Sequence, residues 1–291
     1  MAARRALIQK RRSAVRTVKL PSDVTIPILG QGTWHMGEDP QRRKHEADAL
    51  RLGLDLGMNL IDTAEMYGEG GAEEVVGDAI AGRRDRVFLV SKVYPHNATR
   101  RGTIEACERS LRRLKTDRLD LYLLHWRGAK PLSETFVAFQ EVRQVGKIRD
   151  FGVSNFDSDD MEEASRLDGG LTGVNQVLYN LERRGIEWDL LPWCRSKGIP
   201  VMAYSPIGQG GQLLRKQGLR TIAERRGVSP AQVALAWLFR QEDVVVIPKS
   251  SDFNRIRENY AALDLALTEE EVAELDRVFP PPRGPQPLET L

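Results

Sequence analysis

Eight short aliphatic or β-branched runs, each followed by a longer amphipathic stretch, constrain the fold of this chain more than any other feature. The runs are Ile28-Leu29 leading into Gly30-Gln31-Gly32-Thr33, then Asn59-Leu60-Ile61, Val87-Phe88-Leu89-Val90, residues 119–124, 148–153 and 174–178, Val201-Met202-Ala203, and Val244-Val245-Val246-Ile247. Between them, apolar residues three and four apart predict helices over 45–56, 72–81, 103–114, 132–145, 157–167, 188–196 and 230–239. Two parallel strands need a crossover of about a dozen residues or more, and every gap here provides one. Eight such units close into a (β/α)₈ TIM barrel. The rival is an open doubly wound sheet, whose phosphate loop is Gly-x-Gly-x-x-Gly between the first strand and its helix. Gly30-Gln31-Gly32 is only a fragment of it.

Ahead of the first barrel strand, Thr17-Val18-Lys19-Leu20 and Val24-Thr25-Ile26-Pro27 flank the turn residues Pro21-Ser22-Asp23. That pattern predicts a β-hairpin, placed to close the bottom of the barrel. Barrels of this type run to roughly 250 residues as one unit, so residues 17–291 are expected to form a single domain. Residues 1–16 carry Arg4, Arg5, Lys10, Arg11, Arg12 and Arg16 with no acidic residue. They read as a flexible, solvated basic extension; a transit peptide or a nucleic-acid-binding arm is the alternative, and the apolar segment of a secretory signal is absent. The Pro-rich stretch 280–285 is expected to be loop.

Over the whole chain 43 basic against 41 acidic residues give a net charge of +2, and beyond residue 16 the two signs nearly balance. Basic pairs such as Arg112-Arg113, Arg183-Arg184 and Arg225-Arg226 are interspersed with acids and lack an aromatic-rich basic motif, which argues for solvated helix faces and against nucleic acid. No apolar run approaches the about 18 residues of a membrane-spanning helix. Cys107 and Cys194 are too few for a disulfide scaffold and suit a reducing, cytoplasmic setting. A monomer without membrane or nucleic-acid partners is the expectation.

Chemistry in a barrel of this kind sits at the C-terminal ends of the strands. Asp62, Lys92, His125, Ser154-Asn155, Tyr204 and Lys249 stand there. Each alone has a bland explanation: a turn cap, a solvated strand end, a satisfied semi-buried histidine. Together, Asp62, Lys92 and His125 on three successive strand ends, with Tyr67 close behind the first, form a proton-donor assembly. A phenol with a pKa of about 10 needs help to donate at neutral pH, and an adjacent ammonium stabilises the phenolate it leaves. Asp62 would hold Lys92, and His125 would hydrogen-bond the substrate oxygen. His35, His96 and His125 share no helix at ligand spacing, so no metal is expected. No Gly-x-Ser-x-Gly elbow supports a serine nucleophile.

Asp62-Thr63-Ala64-Glu65-Met66-Tyr67-Gly68, with Lys92, His125 and Ile247-Pro248-Lys249-Ser250, resembles the aldo-keto reductase superfamily. The resemblance runs from about Val18 nearly to the end and includes Gly32-Thr33-Trp34, Val153-Ser154-Asn155-Phe156, Asn175-Gln176 and Ala203-Tyr204-Ser205-Pro206. Residues 30–39 and 190–194 are similar to a bacterial branch that includes methylglyoxal reductases. The resemblance implies a catalytic set of Asp62, Tyr67, Lys92 and His125 and NADPH as cofactor. Tyr204 would stack on the nicotinamide and Ser154, Asn155 and Gln176 would hold its carboxamide. Gly32, Thr33, Trp34, Asp62, Ser205, Pro206 and Ile247 would complete the cofactor contacts. Lys249, Ser250 and Arg255 match the family's 2′-phosphate pocket, and Glu258 and Asn259 its adenine contacts. Two cations and a hydroxyl within seven residues suit a phosphate dianion, whereas a site selective for NAD offers a carboxylate to a ribose hydroxyl.

Trp34, His35, Tyr94, His96 and Trp126 are expected to line a partly aromatic substrate mouth. The implied reaction is reduction of small reactive carbonyls, such as methylglyoxal or aromatic aldehydes, to alcohols. Two rivals stay open on the sequence alone. The same residues would serve a cofactor-bound regulatory module of the kind that associates with channels, and they would run alcohol dehydrogenation with Tyr67 as base.

Overall fold

Along the central strands, successive side chains enter two different apolar environments, and that alternation explains the architecture. The structure, a computed structural model, describes residues 15–291. Their strands are β1 (Thr17–Lys19), β2 (Thr25–Pro27), β3 (Gly30–Gly32), β4 (Leu60–Asp62), β5 (Phe88–Val93), β6 (Leu119–Leu124), β7 (Ile148–Ser154), β8 (Asn175–Leu178), β9 (Val201–Tyr204) and β10 (Val244–Val246). From β3 to β10 each strand pairs in parallel with the next. Bridges Leu29–Val246 and Gly32–Lys249, with the Val246 N–H donating to the Ile28 carbonyl at 2.7 Å, bring the last strand back to the first. Eight parallel strands thus form the expected barrel.

On β6, Leu121 and Leu123 point inward to meet Leu60, Phe88, Val90, Val174, Met202, Val245 and Ile247, while Tyr122 and Leu124 face the helical layer. Both faces are apolar because both are covered. Truncating an inner residue such as Leu123 to alanine is expected to cost about 2–5 kcal/mol, since its neighbours are held by the barrel and cannot collapse into the gap.

The hairpin forms as read, with β1 antiparallel to β2 and Asp23 turning the chain at φ 64°. Leu20 and Ile26 insert into the inner core from below, and the Ser22 hydroxyl donates to the buried Asp150 carboxylate of β7. The expected basic extension over residues 1–16 lies outside the described residues apart from Val15 and Arg16. Arg16 is tied in: its guanidinium donates to the Phe239 carbonyl and its own carbonyl accepts from the Ile28 N–H.

The helices are α1 (Arg43–Leu56), α2 (Gly71–Ile80), α3 (Arg100–Leu114), α4 (Leu132–Gln144), α5 (Ser158–Asp168), α6 (Leu190–Ser196), α7 (Gln217–Arg226), α8 (Pro230–Phe239), α9 (Phe253–Ala261) and α10 (Glu269–Val278). The seven predicted ones occur with ends shifted by at most three residues. Thr99 and Asp157 cap α3 and α5, and capping boxes at Ser229 and Thr268 start α8 and α10. The sequence reading left out α7, α9 and α10. Their apolar faces are narrow: among the described side chains, α9 buries only Ile256 and Asn259, and α10 only Glu271 and Leu275. The Pro-rich stretch after α10 is irregular, as expected.

Candidate active site

Side-chain alternation along a strand places residues i and i+2 on one face. The inward apolar layer contains Leu60, Val90, Leu123, Val174, Met202 and Ile247. Two residues further along stand Asp62, Lys92, His125, Gln176, Tyr204 and Lys249. Of the expected strand-end residues, Asp62, Lys92, His125, Tyr204 and Lys249 are therefore aimed at the barrel axis, one step above the apolar layer, and Gln176 joins them. Gly32 occupies the same position on β3, where an added Cβ would lie 3.0 Å from the Ile247 carbonyl; the glycine lets β10 approach.

Lys92 is fully buried, and its three ammonium protons meet three acceptors. Nζ donates to Asp62 Oδ2 at 2.8 Å, to the Thr63 carbonyl at 2.9 Å and to the Tyr67 hydroxyl oxygen at 3.3 Å. Burial alone would push this ammonium down, but Asp62 and the Tyr67 oxygen outweigh it and hold the group above its ordinary pKa. Burial raises the Tyr67 hydroxyl, and the nearby Lys92 charge offsets part of that rise. His125 packs edge-on against Tyr67 with ring centroids 5.6 Å apart. Burial, reinforced by Lys92, lowers its pKa to about 2. At neutral pH the cluster is thus a lysine–aspartate ion pair flanked by a neutral phenol and a neutral imidazole, whose Nδ1 is buried without a partner among the described residues.

The second carboxylate oxygen of Asp62 accepts from Gln176 Nε2 at 2.8 Å, and its backbone carbonyl accepts from the Thr33 hydroxyl at 3.0 Å. Gln176 Oε1 takes no hydrogen bond among the described residues. Asn155 stands at φ 58° and Ser205 at φ 47°, conformations costly for residues with a Cβ and typical of functional sites. The Tyr204 hydroxyl donates to Asn155 Oδ1 at 2.9 Å, and Asn155 Nδ2 donates to the His125 carbonyl at 3.2 Å. Ser154, Asn155, Gln176 and Tyr204 are accordingly neighbours around one half-buried aromatic face, a shape that fits a flat heteroaromatic ring bearing an amide.

At the other end, the bridge to Gly32 sets Lys249 beside the Gly32-Thr33-Trp34 segment. Lys249 and Arg255 lie within salt-bridge distance of no carboxylate among the described residues, although most arginines here are paired, such as Arg43, Arg113 and Arg184. Burial lowers the Lys249 pKa. Ser250 and Asp252 form the turn that starts α9, with Asp252 capping the Asn254 and Arg255 N–H groups. Glu258 is half-buried and Asn259 buried one turn on. Two unpaired cations beside an N-capped helix fit an anionic group. The sequence reading missed two contributors from α1 and its approach: Arg42 donates to the Ser251 hydroxyl at 3.1 Å, and His45 stacks on Phe253 at 5.0 Å. Nothing in local spacing links them to Ser251 across more than 200 residues.

The expected mouth residues fall into two groups. Tyr94 packs against His96 at 4.2 Å and Trp126 at 4.9 Å, and Trp126 lies 4.9 Å from His125. Across from them, Trp34 contacts His35 at 3.9 Å, and His35 pairs with Glu38 at 2.6 Å. The loop bearing Trp34 rests on the loop bearing Tyr67, because Gly37 and Gly71 meet so closely that a Cβ on Gly37 would fall 2.1 Å from the Gly71 carbonyl carbon. Beyond α10 the tail returns along β8, held by Arg183–Glu289 at 2.6 Å, and the Leu291 backbone reaches the Tyr204 hydroxyl.

Known proteins resemble this chain over most of its length. The aldo/keto reductase family model matches residues 28–279. The methylglyoxal reductase YeaE of Escherichia coli is 50% identical over 281 residues, which cover 95% of this chain and 99% of that protein. A glyoxal reductase of Bacillus subtilis is 36% identical over 279 residues, covering 94% and 97%. An aldo-keto reductase of Klebsiella pneumoniae, solved in complex with NADPH, is 50% identical and superposes with a TM-score of 0.92 over 95% of this chain and 99% of that one.

Proposed function

The chain belongs to the aldo/keto reductase family, and from that premise we propose that it reduces small reactive carbonyls with NADPH, Tyr67 supplying the proton. The observation that carries the reading is the saturation of Lys92. Because all three of its N–H groups are committed, one of them to the Tyr67 oxygen, the Tyr67 proton must point away from Lys92, toward the open side of the site. A carbonyl oxygen placed there accepts it. The Lys92 ammonium already beside the phenol stabilises the phenolate left behind, and Asp62 keeps that ammonium in place.

Neutral His125 adds a second donor. A bare lone pair tolerates burial without a partner better than an orphaned N–H, so its proton belongs on Nε2 rather than on the unpartnered Nδ1. From there it hydrogen-bonds the same substrate oxygen. The chemistry that bound NADPH supplies is a hydride to the carbonyl carbon. Tyr204, with Ser154, Asn155 and Gln176, would hold its nicotinamide end and fix which face is presented, while Lys249, Ser250 and Arg255 would hold the 2′-phosphate and Glu258 and Asn259 the adenine. Gly32, Thr33, Trp34, Ser205, Pro206 and Ile247 would line the path between. Trp34, His35, Tyr94, His96 and Trp126 would receive the substrate.

Methylglyoxal and related small aldehydes are the favoured substrates, supported by the similarity to YeaE and to the glyoxal reductase. Both cysteines are free and buried, which suits the cytoplasm. The test is NADPH consumption by purified protein with methylglyoxal, para-nitrobenzaldehyde, an aldose and a steroid ketone, repeated with NADH. Multiple turnovers on the small aldehydes, faster with NADPH, are expected. Cofactor binding without turnover on any carbonyl would instead favour a regulatory module.

A further inference from the structure

Glu65 lies two residues before Tyr67, yet its carboxylate takes no part in the Asp62–Lys92–Tyr67 cluster. It crosses to the next loop. Oε1 accepts from the Tyr94 backbone N–H at 2.8 Å and from Asn97 Nδ2 at 3.0 Å, and Oε2 accepts from the Arg109 guanidinium at 3.4 Å. The side chain is 8% exposed, so these are buried, charge-assisted bonds. They anchor the backbone of Tyr94, whose ring leans on Trp126, which in turn contacts His125 and through it Tyr67. The interactions form a closed circuit: from Tyr67 through His125 and Trp126 to Tyr94, then through the Glu65 carboxylate and two backbone steps to Tyr67 again. A circuit of this kind sets the distance between the proton donor and the aromatic wall opposite it.

We propose that Glu65 is a positioning residue for substrate selection: it fixes the Tyr94–Trp126 wall relative to the Tyr67 hydroxyl and so favours carbonyls carrying a flat aromatic substituent. The inference rests on the carbonyl-reductase reading above. Without the carboxylate, the Tyr94 N–H and the Asn97 amide lose their acceptor, the loop shifts, and aromatic stacking on the substrate weakens. Small dicarbonyls, which carry no aromatic ring to stack on the wall, are little affected.

The test compares Glu65→Ala with Glu65→Gln, which keeps a carbonyl oxygen for the Tyr94 N–H. Two readouts are taken: kcat and KM separately for para-nitrobenzaldehyde and methylglyoxal with NADPH, and quenching of tryptophan fluorescence by para-nitrobenzaldehyde in protein loaded with NADP⁺. Glu65→Ala is expected to raise the aromatic KM, and the dissociation constant read from the quenching, about tenfold, which is what one well-placed aromatic pair is worth. The effect on kcat and on the methylglyoxal KM should be no more than about twofold, and Glu65→Gln should restore most of the difference. Equal losses for both substrates, or a lower melting temperature with the substrate ratio intact, would overturn the proposal and leave Glu65 a structural tie. If Glu65→Ala does not fold, Asn97→Ala removes one of the bonds from the far side and must shift the same ratio in the same direction. Absence of turnover in the wild type would count against the reductase reading alone, because the quenching experiment still separates wild type from variant.

Discussion

Lys92 and Lys249 each stand two residues beyond the inner apolar layer, on β5 and just after β10, yet one is saturated and the other is waiting. Lys92 has a partner for every proton and no exposure at all. Lys249 is half-buried, with no ion pair among the described residues, and Arg255 nearby is also unpaired. The same contrast extends to their surroundings, since Asp62 is bonded through both carboxylate oxygens and its backbone, while Ser250 bonds only within its own turn. On the roles proposed above, the difference teaches how one cleft would serve two purposes. Groups that must act on a transition state are fixed before any ligand arrives, so no reorganisation is charged to the reaction. Groups that must capture an anion keep their charge unspent until it binds.

The largest effect should come from the saturated end. Tyr67→Phe removes the hydroxyl whose proton Lys92 leaves free while keeping the ring that packs on His125. Loss of a positioned proton donor is worth about 10²- to 10⁴-fold in rate, so kcat should fall by that much with NADPH affinity unchanged. Steady-state kinetics and a fluorescence titration of NADPH measure the two. A kcat within tenfold of wild type would move the proton donor elsewhere, and a parallel loss of NADPH affinity would mean that the two ends are not independent.

A smaller and opposite signature is expected from Arg255→Ala. A hydrogen bond between charged groups contributes about 1.5–3 kcal/mol, so NADPH should bind about tenfold to a hundredfold more weakly. NADH should be unaffected, as should the melting temperature of the cofactor-free protein, because the guanidinium makes no hydrogen bond or salt bridge among the described residues. Binding of NADPH should also weaken with salt more steeply than binding of NADH. Equal losses for the two dinucleotides would remove Arg255 from the phosphate site and break the contrast.

Much of the saturated end was legible in the sequence because it follows the two-residue alternation of a strand. Once Leu60, Val90 and Leu123 are taken as inward, Asp62, Lys92 and His125 must be inward too. Tyr67 lies in a loop, where no periodicity operates, and was found through the motif it shares with a family. The bonds that complete the site were not legible. Gln176 reaches Asp62 across 114 positions and Glu65 reaches Tyr94 across 29, and such pairings depend on which strands become neighbours. Arg42 and His45 were missed for the same reason. The overlooked helices α7, α9 and α10 failed on a different count: they bury only two or three side chains each among the described residues, and in α9 and α10 one of the two is polar, Asn259 or Glu271, so few apolar positions mark them.

The smallest effect sharpens the comparison through pH. Burial holds the His125 pKa at about 2, against about 6.5 in an unfolded chain, so between those values the unfolded state binds a proton that the folded state refuses. Stability that is complete above pH 6.5 should therefore fall as the pH drops below it, by about 2 kcal/mol at pH 5. His125→Gln has no such proton to take up. Urea unfolding of both proteins at pH 7 and pH 5, without cofactor, reads the difference directly: wild type should lose about 2 kcal/mol more than the variant. Equal losses would mean that His125 charges in the folded protein. A charged His125 beside Lys92 would also put an inflection into the rate profile between pH 5 and 8, where a neutral imidazole and a Tyr67 hydroxyl raised above its ordinary value leave the profile flat until the alkaline limb. The acid limb of stability and the flat centre of the rate profile thus test the same point, that the proposed catalytic end holds one fixed protonation state while the proposed phosphate end responds to what binds.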